Sequence, residues 1–422
     1  MGGALGADLL IAHMADVHLG ARKYGERAIY EDVSQAFEES LNEVIRERAR
    51  YLVIAGDLFD SPHPDNWVLA FAVRKLKDLA SRGVKVIAAR GEHDTPGRRE
   101  PSPLDVLSEA VDGFYAPRPG QGAKVEEIVG STTLRLGEIA FLVYPFIKVS
   151  AEERRDIYAN ILRPAYERAS RELRSSGVKT VFVAHFAVEP IFRFDAVAAV
   201  SELPLADYVA LGHVHRRCVR CVTPPDRQDL WYAYPGSLYP LDVSEAAEGH
   251  KRGPIFVDLS GGEPSFNEVD VRVRRHFVVE ADVRDPKEVD RVVRAAVSKV
   301  SRSPGEREPL VHLKLNVGVK VPSRLVELAA SRVARERNLI IVPHVTRVPE
   351  EQPSAGKGAG RESLSPVDVF RDELRLDEFT AKVLLELVTA ASEGSEEAIE
   401  GVLEKLISWP RSMEQLRGLM SQ

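Results

Sequence analysis

Residues 9–18 read Leu9-Leu10-Ile11-Ala12-His13-Met14-Ala15-Asp16-Val17-His18, a short apolar run that stops at two side chains able to bind a metal. Short runs rich in Val, Ile and Leu fit strands buried on both faces. Four more follow the same plan. Residues 51–55 precede Gly56-Asp57, 84–89 precede Gly91-Glu92-His93-Asp94, 180–184 precede His185, and 208–211 precede Gly212-His213-Val214-His215. Helical stretches lie between them at about 30–49, 66–81 and 151–176, the first with Phe37, Leu41, Val44 and Ile45 at helix spacing. Strand, helix, strand order predicts an α/β fold around a largely buried sheet. In such sheets ligand groups gather at the carboxyl ends of the strands, where all of these polar clusters fall.

Farther along, the pattern divides the chain. Residues 230–259 hold shorter strand-like pieces joined by Gly and Pro, which end a first unit at about residue 270. Residues 271–348 then alternate strand, helix, strand, helix, strand and make a smaller α+β unit. Residues 349–364 begin without apolar periodicity and read as a flexible linker. From Ser365-Pro366 the segment 365–422 carries three short amphipathic helices, marked by Val367, Phe370 and Leu374, then Phe379, Leu384 and Leu387, then Val402 and Leu406.

Composition narrows the function classes. The chain has 422 residues, 44% hydrophobic and 29% charged, which suits a folded globular protein. No apolar run is long enough to span a membrane, and the first residues lack a secretory signal pattern. Two cysteines cannot form a disulfide framework, so the expected place is the cytoplasm. Cys218 and Cys221 have C-x-x-C spacing without a second pair to complete a zinc site, and they read as plain strand cysteines. Residues 349–422 hold 15 acidic and 8 basic side chains, which accounts for the whole net charge of −7. The body is therefore neutral and lacks the basic field usual in nucleic-acid binders. Any phosphate backbone must be held by metal ions or local patches. Arg22, Lys23, Arg90, Arg98, Arg99 and Arg216 flank the polar clusters and are the candidates for contact with such a backbone.

The clusters themselves hold Asp16, His18, Asp57, Glu92, His93, His185, His213 and His215, which include five of the eleven histidines. Carboxylates mixed with neutral imidazoles suit divalent manganese, iron or zinc. In Asp-x-His and His-x-His the two side chains of an extended segment point the same way, so both reach one side of a site.

Asp-x-His, Gly-Asp, a Gly-Glu-His-Asp cluster, His and Gly-His-x-His, in that order, resemble the calcineurin-like metallophosphoesterase signature. Ala55-Gly56-Asp57-Leu58-Phe59-Asp60 and Tyr234-Pro235-Gly236-Ser237-Leu238 are similar to nucleases of the SbcD and Mre-eleven type that act on DNA double-strand breaks. The resemblance implies a β-sandwich flanked by helices, a capping domain that binds DNA, and a helical segment docking an ABC ATPase of the SbcC or Rad-fifty type. It also implies a homodimer, with α-helical faces near 67–79 and 104–107, that holds DNA ends.

Carried over, the signature implies two manganese ions. Asp57 would bridge, Asp16, His18 and His215 would complete one ion, and Glu92, His185 and His213 the other. His93 would face the phosphate and stabilise the leaving oxygen, oriented by Asp94. The implied reaction is attack of a metal-bound hydroxide on the phosphodiester, in double-strand exonuclease and single-strand endonuclease modes. Two positions depart from the pattern: Glu92 stands where Asn is usual, and Asp60 where many relatives carry His. The other functions compatible with the signature are a phosphatase or phosphodiesterase on the same fold, and an end-tethering scaffold with attenuated catalysis.

Overall fold

The structure, a computed structural model, describes residues 9–97, 100–120, 122–193, 195–222, 229–301 and 306–348, and Val383. The chain divides into two compact units, Met1–Pro349 and Glu350–Gln422. The expected linker and three helices of 349–422 lie, apart from Val383, outside the described residues.

In chain order the elements open with β1 (Leu10–Met14), α1 (Arg27–Arg46), β2 (Tyr51–Ala55), α2 (Asn66–Ser81), β3 (Lys85–Ala89), α3 (Pro103–Ala110) and β4 (Phe114–Tyr115). Next come α4 (Val125–Thr132), β5 (Thr133–Leu136), β6 (Ile139–Val143), α5 (Ala151–Ile157), α6 (Arg163–Ser175) and β7 (Lys179–His185). The short β8 (Val188–Glu189) and β9 (Ala198–Ala199) precede β10 (Tyr208–Gly212), β11 (Cys218–Val222), β12 (Leu230–Tyr234) and α7 (Val243–Glu248). The unit closes with β13 (Ile255–Asp258), β14 (Ser265–Glu268), β15 (His276–Val283), α8 (Val289–Ala296), β16 (Leu310–Gly318), α9 (Ser323–Arg337) and β17 (Ile340–Val348).

The apolar runs become the central strands of two facing sheets. One has the order β14-β13-β1-β2-β3-β4 and the other β11-β12-β10-β7-β6-β5. Strands β1, β2 and β3 run parallel in the first, as do β6, β7, β10 and β12 in the second. Alternate residues of both sheets face each other and form an inner core that includes Val53, Ile87, Phe141, Val183 and Ala210. The outer face of the first sheet packs under α1, α2 and α3 through Phe37, Leu41, Leu76 and Leu107. The second packs under α4 and α6 through Val129, Tyr166 and Phe182. The result is helices, sheet, sheet, helices, so each central strand is buried on both faces, as its uninterrupted apolar run requires.

One expectation differs in detail. The single helix expected over 151–176 is α5 and α6 joined by a wider π turn at Tyr158–Leu162. Pro164 lacks an N–H and cannot complete the regular ladder, so the chain widens just before it.

Residues 276–348 build a third sheet, β15-β16-β17, all parallel. One face is covered by α8 and α9, with a core of its own around Val293, Leu313, Val317 and Val333. The other face meets the helical layer of the first sheet, since Leu310 and Val342 belong to the core under α1. Among the described residues no helix is long and apolar enough to cross a membrane.

Candidate metal centre

Strand register brings the polar clusters level. Met14 pairs with Ile54, Ala55 with Ala89, and Gly212 with His185, so the carboxyl ends of β1, β2, β3, β7 and β10 meet along one rim. There the chain turns sharply. Asp16, His18, Asp57 and His213 have left-handed backbone, with φ of 51°, 52°, 51° and 89°. Backbone hydrogen bonds hold the turns, Asp16 N–H to the Gly56 carbonyl at 3.1 Å and His18 N–H to the Asp57 carbonyl at 3.0 Å. Close approach also needs glycine. A Cβ on Gly91 would lie 2.0 Å from Asp57 Oδ1, and one on Gly212 would lie 2.0 Å from the Ala55 carbonyl.

Three groups of ligand atoms converge at this rim, Asp16 with His18 and His215, Asp16 with Asp57 and His185, and His18 with Asp60 and His93. Asp16 is common to the first two, whereas the resemblance gave the bridging part to Asp57. His185 Nδ1 donates to the Ala55 carbonyl at 2.8 Å, which leaves Nε2 aimed at Asp57 Oδ2, 3.2 Å away. That buried Nε2 has no hydrogen-bond partner. The Nε2 atoms of His18 and His215 face each other at 3.2 Å. Convergent lone pairs on imidazoles and carboxylates, with a buried nitrogen left unsatisfied, are what a divalent cation accounts for. The residues fit the metal that the fold family implies.

The field agrees. Burial favours a neutral His185, but the Asp57 carboxylate, with Asp16, outweighs it and pushes the imidazole up to about 10. Burial likewise opposes a charge on His215, and its bond to Glu245 together with Asp16 takes it up to about 9. Burial also opposes ionisation of Asp57, yet His185, with His18 and His93, holds its carboxyl below the usual range. Two imidazoles that retain protons so strongly lie in a negative potential, which attracts cations equally.

Glu92 and His213 stand apart from these groups, and Glu92 is exposed. His213 lies close to His185, ring centroids 5.3 Å apart, but its Nε2 is held by Asp195 Oδ2 at 2.6 Å. Its backbone N–H donates to both oxygens of Asp16 at 3.1 Å. His93 donates its N–H to Asp57 Oδ1 at 2.9 Å, and its ring Nδ1 bonds the Asp60 carbonyl at 2.9 Å. Asp94 is fully buried and accepts the N–H groups of Leu58, Phe59 and Gly91. Its carboxylate ties the β2 and β3 loops together, while the Asp60 carbonyl orients the His93 ring. Burial, with the charge of Asp57 beside it, pushes Asp94 up to about 6.

Of the arginine candidates, Lys23 and Arg216 are exposed. Arg22 pairs with Asp65 at 2.9 Å. Arg90 points inward, its guanidinium already neutralised by Asp105 at 2.6 Å. Arg98 and Arg99 lie outside the described residues. Asp195, Glu245 and the part played by Asp60, whose Oδ1 lies 3.3 Å from His18 Nδ1, were not legible in the motifs. Only the Gly-Asp-Leu-Phe-Asp stretch held a signal, at Asp60.

Residues 9–217 match the calcineurin-like phosphoesterase family model. A DNA double-strand break repair protein Mre11 from Aeropyrum pernix is 33% identical over 94% of this chain and 95% of its own length. The chain belongs to the Mre11 family. Mre11 proteins of Sulfolobus acidocaldarius and Archaeoglobus fulgidus are 23% and 26% identical, covering 94% and 96% of this chain and 98% and 91% of their own. Membership makes the chain a metal-dependent phosphodiesterase, on the fold that the sandwich of sheets already displayed, and the converging Asp and His side chains are the candidate ligands for its divalent metal.

Proposed function

We propose that the protein is a manganese-dependent nuclease that processes DNA double-strand breaks in the cytoplasm, with double-strand exonuclease and single-strand endonuclease activity. The observation that carries the reading is the convergence of Asp16, His18, Asp57, His185 and His215 in a chain of the Mre11 family. These residues would hold two divalent ions, with Glu92 and His213 completing the second. Bound ions supply charge neutralisation for phosphate oxygens and a lowered pKa for water. The chain's own part is orientation. Asp57 is held by the His93 N–H, and the His93 ring, fixed through Nδ1 by the Asp60 carbonyl, lies beside the His18 ring, 4.8 Å between centroids. From there it can donate a proton to the leaving oxygen.

Partners follow from the same reading. DNA ends would lie along the rim, with Lys23 and Arg216 toward the phosphates. A homodimer would use the outward side of α2 and α3, where Trp67 is 79% exposed and Val106 lies beside solvent, while Leu104 and Leu107 are buried in the core. Residues 365–422 would dock the SbcC or Rad-fifty type ATPase. One observation favours a second reading, an end-tethering scaffold with attenuated catalysis. Glu92 is exposed and outside all three ligand groups.

Incubation of linear double-stranded DNA with the protein and manganese separates these readings. Cleavage that depends on the metal and disappears in His185→Ala is expected. DNA binding with no cleavage at saturating manganese would support the scaffold.

A further inference from the structure

Behind His215 lies a layer of buried charge that the ligand motifs do not contain. Asp242 caps α7 by accepting the Glu245 N–H at 2.9 Å, which turns the Glu245 side chain into the core. Its Oε1 accepts from His215 Nδ1 at 2.8 Å. Its Oε2 accepts from Ser237 Oγ at 2.6 Å and the Leu241 N–H at 3.3 Å, and Arg252 Nη1 donates to it at 3.4 Å. Arg252, only 4% exposed, also donates to the carbonyls of Ser237 and Glu245 at 3.1 and 3.0 Å. The Ser237 N–H closes the ring on the His215 carbonyl at 3.1 Å. Gly236 makes this approach possible. It has φ 76°, and a Cβ there would sit 2.6 Å from that same carbonyl.

Each link has a consequence for His215. A carboxylate can only accept, so His215 keeps a proton on Nδ1, and the nitrogen that gives up its proton to bind a cation is Nε2. That Nε2 lies 3.2 Å from His18 Nε2 and 3.8 Å from Asp16 Oδ1. The second oxygen, gripped by a buried serine and a buried arginine, prevents the carboxylate from swinging and so fixes the plane of the ring. Arg252 balances the Glu245 charge, which would otherwise be unfavourable at this depth.

We propose that Glu245 is a positioning residue for the divalent ion held by His215, with Ser237 and Arg252 as its anchor. The inference rests on the metal-site reading above. Carboxylates that receive the second N–H of a ligating histidine raise its basicity and fix its orientation, and their loss costs about 10- to 100-fold in metal affinity.

The test titrates manganese into the full chain by calorimetry, with paramagnetic resonance to distinguish paired from isolated ions, for wild type, Glu245→Gln, His215→Ala and the double variant. Wild type should bind two ions. Glu245→Gln should weaken one of them by about 10- to 100-fold and lose the paired-ion signal at limiting manganese. Combining it with His215→Ala should add nothing further, because the carboxylate acts only through that ring. Wild-type affinity in Glu245→Gln, or a further loss in the double variant, would overturn the proposal. Should Glu245→Gln fail to fold by circular dichroism, Ser237→Ala decides: a several-fold loss at one ion supports the anchor, and unchanged affinity refutes it. A wild type that binds no manganese would overturn the metal reading itself, and this inference with it.

Discussion

Left-handed backbone at Asp16, His18, Asp57 and His213 has a cost of order 1–3 kcal/mol per strained residue, and it persists because neighbouring hydrogen bonds over-determine each turn. Asp and His tolerate this region better than most residues, so the ligand types and the sharp turns suit each other. His13 is the instructive contrast. It lies in the middle of β1, fully buried, bonded to the Tyr208 hydroxyl at 2.7 Å, and burial, with the positive Arg217, holds it down to about 3. Residue type alone does not make a ligand; position past the strand end does. His93 occupies such a position and groups with His18 and Asp60, apart from the Asp16 carboxylate. His93→Ala should lower turnover by about 10²- to 10⁴-fold while manganese binding is retained. A calorimetric titration that loses one ion in this variant would instead make His93 a ligand.

At the scale of elements, the site depends on how strands and helices end. Asp65 caps α2 by accepting the Val68 N–H at 2.9 Å, and Ser102 caps α3 within a capping box while its Oγ donates to the Asp94 carbonyl at 2.7 Å. The second cap links a helix end directly to the loop that carries His93. The first does not touch the site, and its ion pair with Arg22 is largely solvated, which leaves the pair worth little. Asp65→Ala should therefore cost about 1 kcal/mol of stability through the lost cap. Denaturant unfolding would register this, and manganese affinity should stay unchanged. A drop in metal affinity would mean that α2 positions the β1 and β2 loops.

At the scale of the whole molecule, the third sheet is tied to the sandwich by buried polar chemistry. Asp32 of α1 receives Arg274, Arg307 and the Tyr239 hydroxyl. Tyr239 meets His276 Nε2 at 2.9 Å, and His276, His312 and His344 then run diagonally across β15, β16 and β17 with nitrogens 3.2 and 3.1 Å apart. Tyr24, from the loop after His18, sets its ring edge against His312 and His344. Each step of this ladder needs one N–H and one lone pair, so His276 and His312, which use both ring nitrogens, must be neutral. Burial, with His312 nearby, holds His276 down to about 3, and burial with His344 holds His312 to about 4. In the unfolded chain these rings take protons near pH 6.5. Their contribution to stability is complete above about pH 6.5 and is lost as the pH falls toward about 4 and about 3. Thermal unfolding should thus shift to lower temperature between about pH 7 and about pH 5, and His312→Gln should flatten that dependence. An equally steep profile in the variant would place the acid sensitivity elsewhere.

Local pattern alone determined the strands that end in polar clusters, the longer helices and the rim itself, because burial on both faces writes itself into consecutive residues, whereas β5, β6 and α4 were not legible in it. Helix α2 falls at residues 66–81 as its periodicity required. The order of Asp16, His18, Asp57, His185 and His215 carried the metal chemistry for the same reason, since a ligand must follow its strand. Only the tertiary structure decided that β1 to β3 join β13 in one sheet while β6, β7, β10 and β12 build the other, since strand pairing depends on contacts far apart in the chain. His18 and His215 meet across 197 residues, and Glu245 reaches His215 across 30. The inward pairing of Arg90 with Asp105 and the bond of His213 to Asp195 have the same origin. A charged side chain beside a motif looks alike in sequence whether it faces phosphate or a buried partner, and the difference arises from which surfaces folding brings together.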